Sequence, residues 1–355
     1  MTVVLDTSPA SISRAADCLR AGGLVAFPTE TVYGLGVHAL DPAAVRRAFV
    51  AKGRPAYDPL IVHLLSWEDV EDLLGDELLT GPYSRARRLA ACFWPGPLTL
   101  VLPRGRHVPR DVTAGLDTVA IRVPAHPVAR ALLDAAAIPI AAPSANLFSR
   151  PSPTRAQHVM QDLDGRIDLV IDGGATSVGV ESTVLDLTRD VPTILRPGAV
   201  TREMLAQYLP MVQEVSPVAP RSSERTAPPP EAMASPGMLP KHYSPRAPLT
   251  LYEGPHALER MVGVVRESVQ SGQLVGVAVP REHAHRFHGL PLRVAELGAA
   301  GDLGAIAARL YAAFRELDAS GVEAIFAVDV EGTGGLAVAV RDRLRRAAAG
   351  RIIHT

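Results

Sequence analysis

The stretch GGLVAFPTETVYGLGVHALDP, residues 22–42, decides the fold class of this chain. Its two glycines end a helical pattern over 11–20, and a short apolar strand is predicted over 24–27. A hydroxyl-rich segment follows the strand. Asp41 and Pro42 then predict a helix start, because an acidic N-cap followed by proline at the first helical position favours that geometry. Helix, strand and helix in succession indicate an α/β domain.

The same alternation continues along the first two hundred residues. Further strands are predicted over 60–65, 98–102, 118–123, 139–142, 169–172 and 183–187, and further helices over 127–137 and 201–209. The expected fold of residues 1–211 is therefore an α/β domain with a mixed sheet.

Periodicity disappears between residues 212 and 246, where the segments VSPVAP (215–220) and TAPPP (226–230) predict an extended linker. A long stretch of this kind is either a spacer or a functional lid. Alternation then resumes over 247–355. Strands are predicted there over 249–252, 274–279 and 324–330, and helices over 256–270, 303–317 and 335–348. These elements indicate a smaller α/β domain of the βαβ type.

The composition is that of an ordinary globular protein of about two domains. The chain has 355 residues, of which 47% are hydrophobic and 21% charged, and no apolar run approaches the ~20 residues of a membrane span. A formal net charge of −1 argues against a protein that coats nucleic acid. No signal peptide pattern is present, and the two cysteines, Cys18 and Cys92, suit neither a disulfide framework nor a metal site. We therefore expect a cytoplasmic protein.

Two residue types are unusually rare. Of 36 lysines and arginines only Lys52 and Lys241 are lysines, and Asn146 is the single asparagine. A compact ammonium can approach a phosphate oxygen where a planar guanidinium cannot, and an amide offers a donor and an acceptor together. We therefore expect these three residues to belong to one functional site, although chance survival remains the alternative at each of them.

Known phosphate-binding and metal-binding motifs are absent or weak. No G-x-x-x-x-G-K-[ST] loop occurs, and the pair Gly34 and Gly36 lacks the third glycine of a dinucleotide fingerprint. The segment HAHRFH, residues 283–288, has metal-like spacing, but a solvated loop is the better interpretation.

Several polar segments instead follow predicted strands or helices, where open α/β sheets bind ligands. They are PTETVYGLG (28–36), KGRP (52–55), PSAN (143–146), GVEST (179–183) and RPG (196–198). The segment SPT (152–154) is typical of a helix cap. Each segment alone is equally compatible with an ordinary turn or cap. Together they offer cations and hydroxyls suited to a triphosphate and a small zwitterion.

These segments, in this order, resemble the YrdC family of threonylcarbamoyl-AMP synthases, specifically its longer, two-domain members. The resemblance also covers PLIVH (59–63), FWPGPLTLVL (93–102), TVAIRVPAHP (118–127), PIAAPSAN (139–146), SPGMLPKHYSP (235–245) and GLAVAVRDRLRRAA (335–348). It implies a twisted mixed sheet with flanking helices and a central cleft, joined to a smaller Rossmann-like α/β C-terminal domain. Lys52 and Asn146 fall in the family's K-x-R and S-x-N signatures, and Lys241 in its linker motif.

The resemblance also implies a reaction. L-threonine and bicarbonate give a carbamate, which attacks the α-phosphorus of ATP and expels pyrophosphate. Magnesium accompanies the triphosphate and is expected to be held mainly by its phosphates. The product feeds the threonylcarbamoyladenosine modification of certain tRNAs through downstream transfer proteins, and a weak direct contact with tRNA is possible in such a family.

Site residues are carried over by position in this sequence. The resemblance implies that L-threonine is bound by Thr31, His63, Arg122, Ala142 and Ser182. It implies that ATP is bound by Lys52, Arg54, Asp58, Thr118, Ser144, Asn146, Ser152, Arg196, Lys241 and Tyr243, with Lys52 and Arg54 as the catalytic cations. Tyr243 and Lys241 would close over the nucleotide from the linker.

The chain departs from the family pattern at three places, and two other functions remain open. Asp58 stands where the family usually has asparagine, Phe148 and Ser149 replace a Ser-Gly pair, and residues 239–240 replace a more polar, aromatic pair. One alternative is an RNA-binding protein of the same fold, which the aromatic content of 5% disfavours. The other is a carbamoyltransferase that handles a different carbamoyl-adenylate, which the lack of appended zinc-finger or acylphosphatase-like segments disfavours.

Overall fold

The computed structural model describes residues 1–75, 83–215, 233 and 242–355. Within these residues no helix has the length and apolar character needed to span a bilayer. The chain divides into two compact units. The first comprises Met1–Phe148, Pro153–Ser177 and Glu181–Met238, and the second comprises Ser149–Ser152, Val178–Val180 and Leu239–Thr355. Most of the predicted linker, residues 212–246, lies outside the described residues.

The first unit is built on one large mixed sheet, as predicted. Its strands are β1 Val3–Leu5, β2 Val25–Pro28, β3 Tyr33–His38, β4 Ile61–His63, β5 Leu98–Pro103, β6 Thr118–Arg122, β7 Ile140–Ala141, β8 Leu169–Ile171, β9 Thr183–Asp186, β10 Thr193–Arg196 and β11 Gln213–Glu214. Its helices are α1 Pro9–Arg20, α2 Pro42–Lys52, α3 Trp67–Leu74, α4 Tyr83–Phe93, α5 Arg110–Thr113, α6 Pro127–Ala136, α7 Ala156–Leu163 and α8 Arg202–Ala206. The eleven strands lie in the order β1-β8-β2-β3-β7-β4-β6-β5-β9-β10-β11.

The helix start predicted at Asp41 is confirmed. The Asp41 side chain accepts a hydrogen bond from the N–H of Ala43 at 2.8 Å, and Pro42 opens α2. The helix ends at Lys52, because Gly53 takes the left-handed conformation with φ of 63°. This end of the helix delivers Lys52 and the following Arg54 to the buried interior.

Strand β3 was not predicted from the sequence, and one of its glycines, Gly36, is required by close packing. A Cβ atom on Gly36 would lie 2.8 Å from Phe27 and 3.0 Å from Ile140. The antiparallel pairing of β2 with β3 therefore depends on a residue without a side chain at this position.

The helix cap predicted at residues 152–154 is wrong. Helix α7 begins at Ala156, and its N-cap Arg155 makes no side-chain capping bond. The Thr154 hydroxyl instead lies 3.4 Å from Nδ1 of His158. A hydroxyl one residue before the N-cap therefore contacts a side chain of the first turn.

Side chains of the sheet alternate between two faces. One face carries Val62, Leu100 and Ile121, which belong to the largest apolar core. On the other face α1 and α6 cover part of the sheet, and their core includes Phe27 and Ile140. Beyond that core, the second face continues as a smaller apolar cluster formed by Ile61, Val101, Ala120, Val184 and Leu195. The predicted threonine ligands His63 and Arg122 follow Ile61 and Ala120 of this cluster along their strands.

The second unit has a separate, wholly parallel sheet with intervening helices, which confirms the Rossmann-like prediction. Its strands are β12 Leu249–Glu253, β13 Val275–Val279, β14 Arg293–Glu296, β15 Ala324–Val328 and β16 Ile352–His354, in the order β14-β13-β15-β12-β16. Its helices are α9 Ala257–Gln270, α10 Arg281–Ala284, α11 Leu303–Ala319 and α12 Leu336–Ala348, with a 3-10 helix at His285–Phe287. The loop predicted at residues 283–288 is therefore mostly helical.

The second unit also holds two short segments from the middle of the chain. The carbonyl of Ser149 accepts from the N–H of Ser244 at 2.7 Å, and the carbonyl of Pro151 accepts from buried Arg315 of α11. The turn at Gly179 fits against the same helix, where a Cβ atom would lie 2.3 Å from the Cα of Ala308. These contacts explain why the unit includes Ser149–Ser152 and Val178–Val180.

Candidate active site

Strand register brings the predicted threonine ligands onto one face of the sheet. His63 of β4 lies opposite Arg122 of the parallel strand β6 and opposite Ile140 of the antiparallel strand β7. Paired positions share a face, and side chains two residues apart on a strand share it as well. Ala142, two residues after Ile140, therefore belongs to this face, and its N–H donates to the carbonyl of Ile61 at 2.9 Å.

The turn between β2 and β3 supplies two side chains to this face. Thr29 is structural, because its hydroxyl donates to the carbonyl of Val32 and accepts from the N–H of Thr31. With Thr29 holding the turn, the side chains of Glu30 and Thr31 both contact Arg122. All of these polar groups are buried.

Arg122 is the best-connected cation of the face. Its Nη1 donates to the Thr31 hydroxyl at 2.9 Å, its Nη2 to Glu30 Oε1 at 2.5 Å and its Nε to the carbonyl of Gly96 at 3.2 Å. The second oxygen of Glu30 accepts from the N–H of Ala125 at 3.0 Å. Burial alone would raise the pKa of the Glu30 carboxyl, but the charge and hydrogen bonds of Arg122 hold that pKa below its ordinary value. The two side chains form a buried ion pair.

His63 is a neutral member of the same face. Burial, and then the positive charge of Arg122, lower the pKa of His63 to about 3, so its imidazole carries no charge near neutral pH. Its Nδ1 lies 3.2 Å from the carbonyl of Ile61, and its ring packs edge-on against Phe27 with centroids 6.2 Å apart. The imidazole can therefore act as a neutral hydrogen-bonding group beside a zwitterion.

A second polar chain reaches the face from strands β5, β9 and β10. The Ser182 hydroxyl lies 2.7 Å from the hydroxyl of Thr99 and accepts from Nη2 of Arg196 at 3.1 Å. Arg196 also donates from Nε and Nη2 to the carbonyl of Ser182, at 3.1 and 3.0 Å. The cation thus fixes the segment that carries Ser182, which links a predicted nucleotide ligand to a predicted threonine ligand.

Two of the three rare residues lie together. Nζ of Lys52 donates to the backbone carbonyls of Ser144 and Asn146, and the carbonyl of Lys52 accepts from the N–H of Phe148 at 2.9 Å. Lys52 is only 2% exposed and Asn146 only 1%. Ser144 is partly buried and bridges to Gly34 of β3. Lys52 and Asn146 are therefore in contact, whereas Lys241 lies outside the described residues. That the rare residues share a functional site stays a prediction.

Asp58, a departure from the family pattern, pairs with a predicted catalytic cation. Its Oδ1 lies 2.9 Å from Nη2 of Arg54, and both side chains are almost fully buried. Arg54 also donates to the backbone carbonyls of Asp58 and Pro59, at 3.0 and 2.8 Å. The carboxylate therefore compensates the charge of Arg54 and fixes its orientation.

Thr118 lies at the opposite end of β6 from Arg122. Four residues separate the two, which corresponds to about 13 Å along the strand at ~3.3 Å per residue. Because Ile61 pairs with Ala120, the start of β6 lies beside the segment that leads from Asp58 into β4. Thr118 thus lies at the end of β6 that is away from Arg122.

Two predicted nucleotide ligands belong to the second unit. Ser152 is fully buried in the segment Ser149–Ser152. Tyr243 is also buried, has a φ of 61°, and packs against Tyr311 with ring centroids 5.4 Å apart. The guanidinium carbon of Arg343 lies 5.4 Å from the centre of the Tyr243 ring. These contacts fix one end of the predicted lid on the second unit.

Sequence reasoning did not assign Glu30 and Thr99 to the site. Glu30 stands inside the quoted segment PTETVYGLG, so a signal was present: an acid between two hydroxyl residues directly after a buried strand. Thr99 had no such signal, because one hydroxyl within the apolar run LTLVL is typical of any buried strand. Its role depends on the pairing of β5 with β9.

Among the described residues, no group of three or more His, Cys, Asp or Glu side chains is arranged to hold a metal ion. Asp58, a predicted ATP ligand, is paired with Arg54.

A sheet face with buried cations, a neutral histidine and several hydroxyls is typical of proteins that bind small polar anions or zwitterions. Comparison with known proteins narrows this class. A family model for Sua5, YciO and YrdC proteins, described as telomere recombination, matches residues 17–198. A second model, described as the C-terminal domain of threonylcarbamoyl-AMP synthase, matches residues 200–349.

Relatives match over the full length of the chain. Threonylcarbamoyl-AMP synthase of Bacillus subtilis is 44% identical over 356 residues, covering 100% of this chain and 97% of the relative. The same-named protein of Schizosaccharomyces pombe is 38% identical, covering 91% and 84%. A crystal structure of Pyrococcus abyssi Sua5 complexed with L-threonine is 42% identical, with a TM-score of 0.88 over 100% of this chain and 99% of that one. The chain therefore belongs to the Sua5, YciO and YrdC family of enzymes, in its two-domain form.

Proposed function

We propose that this enzyme is a nucleotidyltransferase that makes threonylcarbamoyl-AMP from L-threonine, bicarbonate and ATP and releases pyrophosphate. The observation that carries the proposal is the buried contact of Arg122 with Thr31 beside neutral His63, on the sheet face that Ser182 also reaches. Full-length relatives with this name, and a threonine complex of the same fold, support it.

On the threonine side, Arg122 pairs with the substrate carboxylate, since a guanidinium matches a carboxylate in shape and charge. Thr31, His63 and Ser182 offer hydroxyl and imidazole groups for the remaining polar atoms of the substrate. The backbone at Ala142 borders the same face. Since His63 is neutral, Arg122 is the cation that identifies the carboxylate end.

On the nucleotide side, Lys52 and Arg54 are the catalytic cations and approach the phosphates. The other proposed ATP ligands are Asp58, Thr118, Ser144, Asn146, Ser152, Arg196, Lys241 and Tyr243. Magnesium enters with ATP as part of the substrate and is held mainly by the phosphate oxygens. Its chemistry is charge neutralisation of the triphosphate.

The reaction needs alignment and charge neutralisation more than proton transfer. The ammonium group of threonine first loses a proton, and the resulting amine condenses with bicarbonate to a carbamate, with loss of water. A carbamate oxygen then attacks the α-phosphorus in line, and the bond to the β-phosphate oxygen breaks to release pyrophosphate. Lys52 and Arg54 stabilise the charge that accumulates on the phosphates, and Arg122 keeps the carbamate of threonine in position by binding its carboxylate.

In the cell, we propose a cytoplasmic enzyme whose product serves tRNA threonylcarbamoyladenosine formation through separate transfer proteins. We further propose a catalytic domain over residues 1–211, a linker or lid over 212–246 and an α/β domain over 247–355. The match to relatives named as synthases favours this function over an RNA-binding protein or another carbamoyltransferase.

The test is to incubate the protein with ATP, labelled bicarbonate and each amino acid separately. The proposal expects label in an adenylate, with an equal amount of pyrophosphate, when threonine is present. Pyrophosphate release without threonine, or label carried with another amino acid in preference, would overturn it.

A further inference from the structure

Arg122 retains free donors after its hydrogen bonds to the described residues are counted. A guanidinium has five N–H bonds. Three of these, one each on Nε, Nη1 and Nη2, donate to Gly96, Thr31 and Glu30. Two N–H bonds remain, one on each terminal nitrogen, and this is the number that a carboxylate accepts in a bidentate pair. A substrate carboxylate can therefore bind Arg122 without displacing Glu30.

Glu30 retains free acceptor positions in the same way. An ionised carboxylate offers about four lone-pair positions on two oxygens. Oε1 accepts from Arg122 and Oε2 from the N–H of Ala125, so each oxygen keeps one position. The carboxyl pKa is held low despite burial, through Arg122, so Glu30 is an anion at neutral pH.

The ion pair of Glu30 and Arg122 is complementary to an amino-acid zwitterion. In an α-amino acid the ammonium group is attached to the carbon that bears the carboxylate. A carboxylate seated on the terminal nitrogens of Arg122 therefore places its ammonium next to Glu30, which already accepts from one of those nitrogens, Nη2. Among the described residues at hydrogen-bond distance from Glu30, one carries a positive charge, and it is Arg122. When a substrate carboxylate also binds Arg122, two carboxylates share that one charge, and the substrate ammonium supplies a second.

We propose that Glu30 binds the α-ammonium group of L-threonine. Thr31 and Arg122 recognise one end of the zwitterion, and Glu30 recognises the other. The inference rests on the proposed function, because it takes threonine as the substrate of this face. It assigns Glu30 a binding role in addition to its contact with Arg122.

The test compares two ligands that differ only in the ammonium group. They are L-threonine and (R)-3-hydroxybutanoate, which keeps the carboxylate and the hydroxyl. Binding is measured by calorimetric titration to the full chain and to Glu30→Gln, which keeps the shape of the side chain and removes its charge. Loss of a charge-assisted hydrogen bond predicts that Glu30→Gln weakens threonine binding on the order of 10- to 100-fold. The analogue is expected to lose less than about threefold, since it never used the charge.

Two further variants keep the result interpretable. Glu71→Gln makes the same substitution in the same unit, at a carboxylate that accepts from Trp67 and Tyr83, and it should leave both affinities unchanged. Glu30→Asp keeps the charge, and it should bind threonine more tightly than Glu30→Gln. If Glu30→Gln does not fold, Glu30→Asp replaces it: its carboxylate is one methylene shorter, so threonine binding should weaken more than binding of the analogue.

Equal weakening of both ligands would show that Glu30 only orients Arg122, and it would overturn the inference. Unchanged threonine affinity in Glu30→Gln would overturn it as well, while leaving the proposed function intact. A wild-type chain that binds no threonine would overturn both.

Discussion

Lys52 shows at the scale of one residue why an arginine-rich chain keeps a lysine. Its ammonium reaches the carbonyls of Ser144 and Asn146 from a position that is 2% exposed. A planar guanidinium is larger and holds its donors in a fixed fork, so it does not fit the point from which one ammonium nitrogen donates to both carbonyls. The rarity of lysine and asparagine in the sequence therefore located a real contact, although it could not show that backbone oxygens are the partners.

We predict that Lys52→Arg loses most activity although it keeps the charge. Threonine-dependent pyrophosphate release should fall at least about tenfold, which corresponds to ~1.4 kcal/mol in the activation barrier. The control is Arg88→Lys, the reverse exchange at an exposed residue that donates to the carbonyl of Tyr208. That control should keep the wild-type rate. A wild-type rate in Lys52→Arg would show that the rarity of lysine has no functional basis at this position.

His63 gives a prediction for the pH dependence of stability. Its pKa is lowered from 6.5 to about 3 by burial and by Arg122, so between these values the unfolded chain binds a proton that the folded chain does not. The free energy of unfolding must therefore fall as pH falls through this window, by up to ~1.4 kcal/mol per pH unit for one proton. Below about pH 3 both states are protonated and the dependence on this group ends.

The measurement is urea unfolding of wild type and His63→Asn between pH 4 and 6, about the centre of that window. The slope of unfolding free energy against pH should be smaller in the variant by up to ~1.4 kcal/mol per pH unit, which corresponds to one proton. The control His107→Asn changes an exposed histidine and should keep the wild-type slope. Equal slopes of unfolding free energy against pH for wild type and His63→Asn would contradict the buried, neutral state of the His63 ring.

At the scale of the element, apolar runs predicted strands well and short or glycine-bearing segments poorly. The run over 98–102 became β5 Leu98–Pro103, and the Asp41-Pro42 signal gave α2. Strand β1 Val3–Leu5 has only three residues, too few to show a period, and it forms by pairing with β8, which is far away in sequence. Strand β3 was missed because its hydroxyl-rich segment carries two glycines, although close packing against Phe27 requires one of them, Gly36.

We predict that Gly36→Ala destabilises the first unit. The added Cβ would lie 2.8 Å from Phe27 and 3.0 Å from Ile140, so β2, β3 or β7 must shift. Overpacking of this kind typically costs ~1–3 kcal/mol. The matched control is Gly263→Ala in the middle of α9, where no atom lies within 4 Å and helix propensity should raise stability by ~0.5–1 kcal/mol. Urea unfolding measures both, and a Gly36→Ala chain as stable as wild type would contradict the close packing.

At the scale of the whole molecule, the sequence predicted the two α/β domains. It did not predict which short segments from the middle of the chain belong to the second unit. Local periodicity indicates an element, whereas strand order depends on contacts such as that of Val3 with Leu169. The inclusion of Ser149–Ser152 in the second unit depends on Arg315 and on Ser244, which are remote in sequence. The polar candidates were found from the resemblance and from their place at strand ends. Glu30 was not, because only register shows that it contacts Arg122.

The predicted lid over residues 212–246 also belongs to this scale. Its far end is fixed where Tyr243 packs against Tyr311 and Arg343. We expect protease cleavage between residues 212 and 246 to slow when ATP and threonine are both present, because a lid that closes over substrates becomes less accessible. Either ligand alone should protect less. An unchanged cleavage rate with both ligands would indicate a simple tether.

The central claim is that the face around Arg122 binds threonine separately from the phosphate ligands, and calorimetric titration of Arg122→Ala tests it most directly. Removing one partner of a buried charge pair should weaken threonine binding by ~2–5 kcal/mol. ATP affinity should stay close to that of the wild type, because Lys52, Arg54 and Asn146 keep their own contacts. The account predicts lost threonine binding with retained ATP binding. Retained threonine binding with lost ATP binding would contradict it.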